Sequence, residues 1–387
     1  MYLKRMGNFQ FFGASGYIGS VDFYQQGYPY VAVVKDGAGI GRAMLCPGKT
    51  SVIGTMQYLL PKDNILPKYL FYVVKYMNLE KYFTGATIPH IYFKDYKNEE
   101  FNFDFWERQV EIVSVLSKCE KVIDLCKQEL QLLDKLIKAR FVEMFGDVIH
   151  NSKKWQVCLF AEITSSRLGK MLDAKQQTGR NSYPYLANFN VQWFRFNLEN
   201  LNKMDFDEKD RAEFELREGD LLVCEGGEIG RCAVWHNELQ PCFFQKALHR
   251  VRCNHQIILP DYLAWWFRYN CDYGGFSALA GAKATIAHLP GAKLKQLQIA
   301  VPPMELQEQF AVFVAQTDKS KVAVQKALDE AQLLFDSLMQ EYFWMMGRKI
   351  MGETGIKPIV IEEICDLAKK YNVKKVILFG SRARGSF

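Results

Sequence analysis

The chain of 387 residues has no apolar run approaching the roughly eighteen residues a membrane helix needs. Its opening, MYLKRMGNFQ, has no apolar core of the kind a secretory leader carries, so no leader is expected. Ten cysteines are present, but no two stand in CxxC spacing, which excludes the usual zinc-ribbon pattern. Scattered through apolar stretches such as LLVCEGG, they read as buried reduced thiols, and the chain as cytoplasmic with no membrane partner. Six histidines show no HExxH spacing, and DFDEKD at 205–210 reads as a charged turn rather than a nuclease cluster. No one sign of charge dominates. A net charge of +6 permits a nucleic-acid partner without requiring one. With hydrophobic residues at 49%, two or three packed domains are expected.

What the chain does contain is repetition. GATIPH at 85–90 is echoed by KATIAH at 283–288. IGR occurs at 40–42 and 229–231, an offset of 189. WERQVEIVSVL at 106–116 is similar to LQEQFAVFVAQ at 306–316, which sets Gln109 against Gln309 at an offset of 200. DKLIKARF at 134–141 is similar to DSLMQEYF at 336–343, an offset of 202. Four weak matches in one order, with a slowly drifting offset, indicate two copies of one module. In each copy, β-branched and aromatic runs broken by glycine predict strands joined by tight turns. LPKYLFYVVKYMN at 66–78 and LPDYLAWWFRYNC at 259–271 each predict a helix opened by proline.

Each copy then ends in a long helix. Cys119, Ile123, Cys126, Leu130, Leu133 and Ile137 step by 4 and 3 alternately, a heptad seam. The second seam, Thr317, Ser320, Val324, Ala327, Ala331, Leu334 and Leu338, is weaker. The two helices are expected to pair antiparallel, since neither seam is strong alone. A helix over 107–145 would be about 58 Å long at 1.5 Å per residue. The fold class is therefore α+β: two pseudo-symmetric mixed α/β domains separated by two long antiparallel, coiled-coil-like helices. The expected segments are 1–103, the helix 104–148, 149–302, the helix 303–346, and a tail 347–387.

Several stretches in this order resemble the specificity subunit of type I restriction–modification systems. They are FFGASGYIGSVDFY at 11–24, GATIPHIYFKDYKN at 85–98, LIKARFVEMFGD at 136–147 and AKATIAHLPGAKLKQLQIAVPPMELQEQFA at 282–311. The resemblance covers about residues 7–345. It implies two target recognition domains, each reading one half of a split double-stranded DNA sequence, with the helices as a ruler between them. It implies a subunit without catalysis that docks two methyltransferase (modification) subunits and, through these, restriction/translocase subunits. It implies no cofactor in this chain, with S-adenosylmethionine, ATP and Mg used by the partners. The only Pro-Pro, in VPPME at 301–305, opens a helix and is not the base-clamping loop of an adenine methyltransferase. Neither GASGYIG nor GAGIGR lies in the strand–turn–helix setting of a dinucleotide site.

DNA readers need cations for phosphates, and amides or guanidinium groups for base edges. SSRLGKMLDAKQQTGRNSYPY at 165–185 offers Arg167, Lys170, Lys175, Gln177, Arg180 and Asn181. FFQKALHRVR at 243–252 is basic too, but alternates like a strand with one solvated face. In copy one the candidates are Ser15, Tyr17, Lys35 and Arg42. In the echoes Thr87, His90, Lys283 and Thr285 could meet phosphate, although such a turn more often locks a domain onto its helix.

Two departures from the family pattern stand out. Ten residues precede Phe11, where the family has an opening strand and loop, so the first domain is expected to be incomplete and short of an edge strand. The tail, KPIVIEEICDLAKKYNVKKVILFGSRARGSF, resembles the start of a minimal nucleotidyltransferase domain, with Gly380 and Ser381 at its nucleotide-gripping turn and no metal carboxylates after it. These departures keep a second reading open: a silent specificity-subunit cassette or fusion with a nucleotidyltransferase remnant.

Overall fold

The computed structural model describes residues 7–85, 89–101, 103–173, 177–276 and 289–343, together with Glu363. The tail, including Gly380 and Ser381, otherwise lies outside the described residues. The chain divides into two compact units, residues 1–129 with 324–387, and residues 130–323. This division cuts each long helix at mid-length, so each helix serves both units.

Unit one contains β1 (Phe9–Gly13), β2 (Gly16–Val21), β3 (Tyr30–Val34), β4 (Ala43–Cys46), β5 (Ser51–Val52) and β6 (Met56–Leu59). They form two sheets, in the orders β2-β1-β5 and β4-β3-β6. β1 runs antiparallel to β2 and parallel to β5, and β3 is antiparallel to both its neighbours. The run YVAVV of β3 is buried throughout, as a continuous apolar strand at a sheet centre should be. Helix α1 (Pro67–Met77) begins with its proline at the first turn, where the missing N–H costs nothing, and α2 (Phe93–Tyr96) is a single turn. Helix α3 (Trp106–Phe145) follows.

Unit two repeats this plan with additions. Its strands are β7 (Gln156–Leu159), β8 (Thr164–Leu168), β9 (Ser182–Leu186), the short hairpin β10 (Val191–Gln192) and β11 (Arg195–Phe196), β12 (Asn202–Asp205), β13 (Leu221–Cys224), β14 (Cys232–Val234), β15 (Phe243–Phe244), β16 (Leu248–Cys253) and β17 (Gln298–Val301). Its helices are α4 (Phe160–Ile163), α5 (Glu208–Phe214), α6 (Pro260–Asp272), α7 (Gly291–Lys295) and α8 (Met304–Phe343). The sheet β12-β9-β15 repeats β2-β1-β5, including one antiparallel and one parallel pairing. The sheet β14-β13-β16-β8 repeats β4-β3-β6 and adds β8. β17 pairs with β7, whereas Glu100, Phe101 and Phe103, among the residues where β17 would fall in unit one, are not in a strand. Among the described residues of unit one, no strand lies beyond β6.

The long helices pack in opposite directions. In unit one the first half of α3 gives Ile112, Leu116 and Ile123 to a core shared with Phe335, Met339 and Phe343 at the end of α8. In unit two the second half of α3 gives Ile137, Phe141 and Phe145 to a core shared with Phe310 and Val314 near the start of α8. Each such buried side chain contributes roughly 1.5–3 kcal/mol. Both helices have 40 residues, about 60 Å at 1.5 Å per residue.

The α3 seam runs where its spacing placed it, with all six residues buried or half-buried. The α8 seam is corrected by one residue in every heptad. Ser320, Ala327 and Leu334 are exposed, and Lys321, Leu328 and Phe335 turn inward. The neighbours decide between the two frames. Phe335 lies against Tyr72 with ring centroids 6.2 Å apart, and Lys321 pairs with Asp134 at 2.7 Å and Asp318 at 3.1 Å.

A buried glutamine fixes α1 and α6 to the long helices in the same way. Gln109 Oε1 accepts from Leu66 N at 2.9 Å, and its Nε2 donates to Asn64 O and Asp104 O, both at 2.9 Å. Gln307 Oε1 accepts from Leu259 N at 2.9 Å, and its Nε2 donates to Ile257 O at 3.0 Å and Pro302 O at 2.8 Å. The true partner of Gln109 is therefore Gln307. The exposed Gln309, which the sequence match selected, reaches only Glu305.

Candidate nucleic-acid interface

In unit one the turn between β1 and β2 presents Ser15 and Tyr17 to solvent, and the Tyr17 hydroxyl meets Ser20 Oγ at 2.9 Å. Arg42 supports this turn from behind. Its Nη2 donates to Ala14 O at 2.6 Å, and Gly39, with φ +80°, leaves room for the guanidinium at a place where a Cβ would sit 3.0 Å from Nη2. Arg231 does the same in unit two, donating at 3.0 Å to both the backbone and side-chain oxygens of Asn188. The parallel pairings Phe11↔Ser51 and Tyr185↔Phe243 place Ala14 and Asn188 at equivalent positions. The arginine of the repeated IGR is thus a strut for the loop after the central strand of the sheets β2-β1-β5 and β12-β9-β15.

Lys35 and His90 meet at Asp36, whose carboxylate lies 3.7 Å from Lys35 Nζ and 2.7 Å from His90 Nδ1. The His90 backbone also bridges Thr84 through two bonds of 2.9 Å. His90 is therefore a fastener of the segment leading to α3. Thr87, Lys175, Lys283 and Thr285 lie outside the described residues.

In unit two the basic loop is tied down at several points. Arg167 pairs with Glu213 and lies over the Phe214 ring at 5.9 Å. Lys170 pairs with Asp210, donates to Asp205 O at 2.6 Å and lies 5.1 Å from the Phe206 ring centre. Gln177 Oε1 accepts from Asp205 N at 2.7 Å, and its Nε2 donates to Asp173 O at 3.0 Å. The Asp205 carboxylate accepts from Thr178 Oγ1 at 2.8 Å, Thr178 N at 2.5 Å and Gly179 N at 2.8 Å. These donors, the Thr178 side chain foremost, hold its carboxyl below the usual carboxylate range. Arg180 and Asn181, beyond this anchor, are exposed. The structure thus brings Arg167 and Lys170 together against α5 and leaves Arg180 and Asn181 facing solvent.

An open groove of about 550 Å³ runs between the loop and α5, lined by Arg167, Lys170, Met171, Lys209, Phe214 and Lys246 among others. Lys209 and Lys246 are exposed cations with no ion pair among the described residues. Lys209 sits in DFDEKD, whose surplus of acids hid it. Lys246 belongs to FFQKALHRVR, whose other basic groups are spent on the fold. Arg250 donates to Glu213 O at 2.7 Å, Arg252 pairs with Asp220 at 2.6 Å, and His249 is buried with Nε2 3.1 Å from Leu289 O. Burial lowers the His249 pKa from its ordinary 6.5. Among the described residues no helix is long and apolar enough to cross a membrane, and no group of three or more His, Cys, Asp or Glu is placed to hold a metal.

A family model described as the type I restriction modification DNA specificity domain matches residues 3–135 and 152–331. A putative type I restriction enzyme MjaX specificity subunit from Methanocaldococcus jannaschii is 23% identical over 176 residues, 44% of this chain and 41% of that protein. The MjaIX specificity subunit of the same organism is 28% identical over 93 residues, 23% of this chain and 22% of that protein. The chain thus spans less than half the length of these curated relatives. Among solved structures, the type I restriction–modification S subunit from M. genitalium superposes with a TM-score of 0.57 at 16% identity, covering 89% of this chain and 91% of that one. A chain from work on complex assembly and conformational transition of the type I R-M system gives 0.54 at 13% identity, covering 87% and 92%. At these identities the likeness is one of fold. The family model matches twice, once largely on each unit, so this chain belongs to the type I restriction–modification DNA specificity family.

Proposed function

We propose that this chain is the DNA sequence-recognition subunit of a type I restriction–modification complex, working in the cytoplasm without catalysis of its own. The observation that carries this reading is the duplication: two units of one topology, each fastened by an equivalent buried glutamine to helices of 40 residues. A split DNA target needs two readers and a spacer, and the paired helices serve as that spacer. In unit two, Lys209, Lys246 and Arg180 supply phosphate contacts in this reading, and Asn181 meets a base edge. In unit one, Ser15 and Tyr17 are the exposed groups of the reading turn. Away from its seam α3 exposes Val122 and Leu125 in unit one, and Leu132 and Leu136 in unit two. Such apolar surface suits docking of two methyltransferase subunits, which would bind S-adenosylmethionine and connect to ATP- and Mg-dependent restriction subunits.

The decisive experiment is methylome sequencing of cells that carry the cognate methyltransferase, with and without this chain. A new split adenine-methylation motif is expected. A stable complex with no new motif would instead support the silent-cassette reading. DNA affinity should also fall steeply with salt, because phosphate contacts release counterions.

A further inference from the structure

The two units build the loop after the central strand differently. The registers Phe11↔Gly19 and Tyr185↔Asn202 mark one place in the equivalent sheets. Ala14 corresponds to Asn188, and the next residues, Ser15 and Phe189, correspond in turn. Beyond them unit one closes with residues 16–18, whereas unit two has residues 190–201. The added length is the β10–β11 hairpin, paired Val191↔Phe196 and Gln192↔Arg195. None of the residues expected from sequence to meet DNA lies in it.

The hairpin is braced on every side. Asn190 is buried, with Oδ1 accepting from Ala187 N and Nδ2 donating to Asn197 O, both at 2.9 Å. Trp193 Nε1 donates to Glu228 Oε1 at 2.7 Å, and the Phe194 ring stacks on Trp265 with centroids 4.2 Å apart. Phe196 meets Trp235 edge-on at 5.1 Å. Phe189 departs from this pattern: it is 56% exposed and has no ring contact among the described residues. Single exposed apolar side chains are common, so the exposure gains meaning only from its setting. Asn188, just before it, is clamped by Arg231 and donates to Gly226 O at 2.9 Å. Gln245 N donates to Leu186 O at 3.0 Å, which ties the strand leading to Phe189 to the loop that carries the groove lysine Lys246. Across the hairpin from Gln192 stands Arg195, exposed and without an ion pair among the described residues. Gln192 Nε2 in turn donates to Phe189 O at 3.0 Å. A rigidly held apolar ring thus shares one cluster of loops with two cations suited to phosphate.

We infer that Phe189 is a specificity-determining residue of unit two, whose ring packs against the 5-methyl group of a thymine in the major groove. The inference rests on the proposed function, because it takes double-stranded DNA as the ligand. A phenyl ring has no hydrogen-bonding group, so it tells base pairs apart only by apolar contact. The apolar feature that the major groove offers is the thymine methyl. The nearby amide does not compete for the base edge as a donor, since Gln192 Nε2 is spent on the Phe189 carbonyl. Ser15, at the same place in unit one, carries a hydroxyl instead, so this selectivity belongs to one half of the target.

The test uses the full chain assembled with its methyltransferase subunit, and duplexes carrying the motif that this complex methylates. Each thymine of the motif is replaced in turn by deoxyuridine, which lacks only the 5-methyl group. One position is expected to lose about fourfold in affinity, the factor for one methyl-sized group removed from water. Phe189→Ala should be indifferent to the replacement at that position, and Phe189→Leu, which keeps apolar contact, should retain part of the dependence. Because Phe189 is exposed, Phe189→Ala should melt with the wild type. No methyl-sensitive position, or equal sensitivity in the wild type and Phe189→Ala, would overturn the inference and leave DNA recognition standing. A ring wedged between base steps would give that second result. A wild-type complex that binds no DNA and writes no motif would overturn the proposed function, and the inference with it.

Discussion

Unit one and unit two share a plan and differ in closure. Both contain two sheets of matching topology, both place a proline-started helix against the long pair, and both lock that helix with a buried glutamine. Unit two adds β7, α4 and β8, and an aromatic core in which Phe141 touches Phe145, Tyr262, Trp265, Tyr269 and Phe310. In unit one, among the described residues, no strand pairs with the outer edge of β6, and Leu60 and Phe105 are exposed. The difference separates two jobs within one module. The glutamine bracket and helix seam hold a unit to the long helices, and they are complete in both copies. The outer strands close the sheet, and among the described residues they are seen in unit two alone.

The largest expected effect concerns the helix ends. Phe145 lies 4.8 Å from the Tyr262 ring, and Phe343, which the frame of the buried glutamines sets against Phe145 rather than the Phe141 of the sequence match, lies 5.4 Å from Tyr69. Phe145→Ala and Phe343→Ala should each destabilise their unit by about 3–5 kcal/mol in urea unfolding. A loss below about 1 kcal/mol in either variant would break the equivalence. Next come the glutamines. Gln109→Ala and Gln307→Ala each strand one buried N–H and two carbonyls and should cost about 2–3 kcal/mol, against at most ~0.5 kcal/mol for Gln309→Ala. Equal losses for Gln307 and Gln309 would remove the bracket as the shared feature.

A smaller effect separates the DNA faces. The double variant Lys209→Ala/Lys246→Ala should weaken binding across all sequences and lower the salt slope by about two, one for each phosphate contact. An unchanged slope would move the interface off this groove. The smallest effect is one of pH. His249 corresponds to Gln57 in unit one, so only unit two carries this titration. Burial lowers the His249 pKa below 6.5, so the unfolded chain binds the proton more readily than the native one. The stability this contributes is present above about pH 6.5 and is lost as pH falls through the lowered native value. Thermal melts over this range should show the decline, and His249→Gln should flatten it.

Much of this plan was legible because it rests on local or periodic signals. The α3 seam follows from one apolar residue every 3 or 4 positions, and the LPKYL and LPDYL starts are proline placed where a helix accepts it. The α8 frame was not legible. Ser320 and Lys321, or Ala327 and Leu328, suit a helix equally, and only Asp134 and Tyr72 across the seam choose between them. The glutamine match failed for a related reason: Gln307 and Gln309 look alike in sequence, and burial distinguishes them.

The DNA-facing candidates show the same limit more strongly. Arg167, Lys170 and Arg42 have the charge that a phosphate contact needs, and each is held by a group from another part of the fold, while Lys35 pairs with the adjacent Asp36. Lys209 and Lys246 have no ion pair among the described residues, yet Lys209 was hidden among acids and Lys246 stood in a basic stretch that the sequence could not resolve residue by residue. By itself the sequence determined the duplication, the α+β class and the two long helices, because these follow from repeated words and periodicity along one segment. Tertiary structure decided which cations are free and which glutamine is buried. Those outcomes depend on partners dozens to hundreds of residues away, whose approach no local pattern encodes.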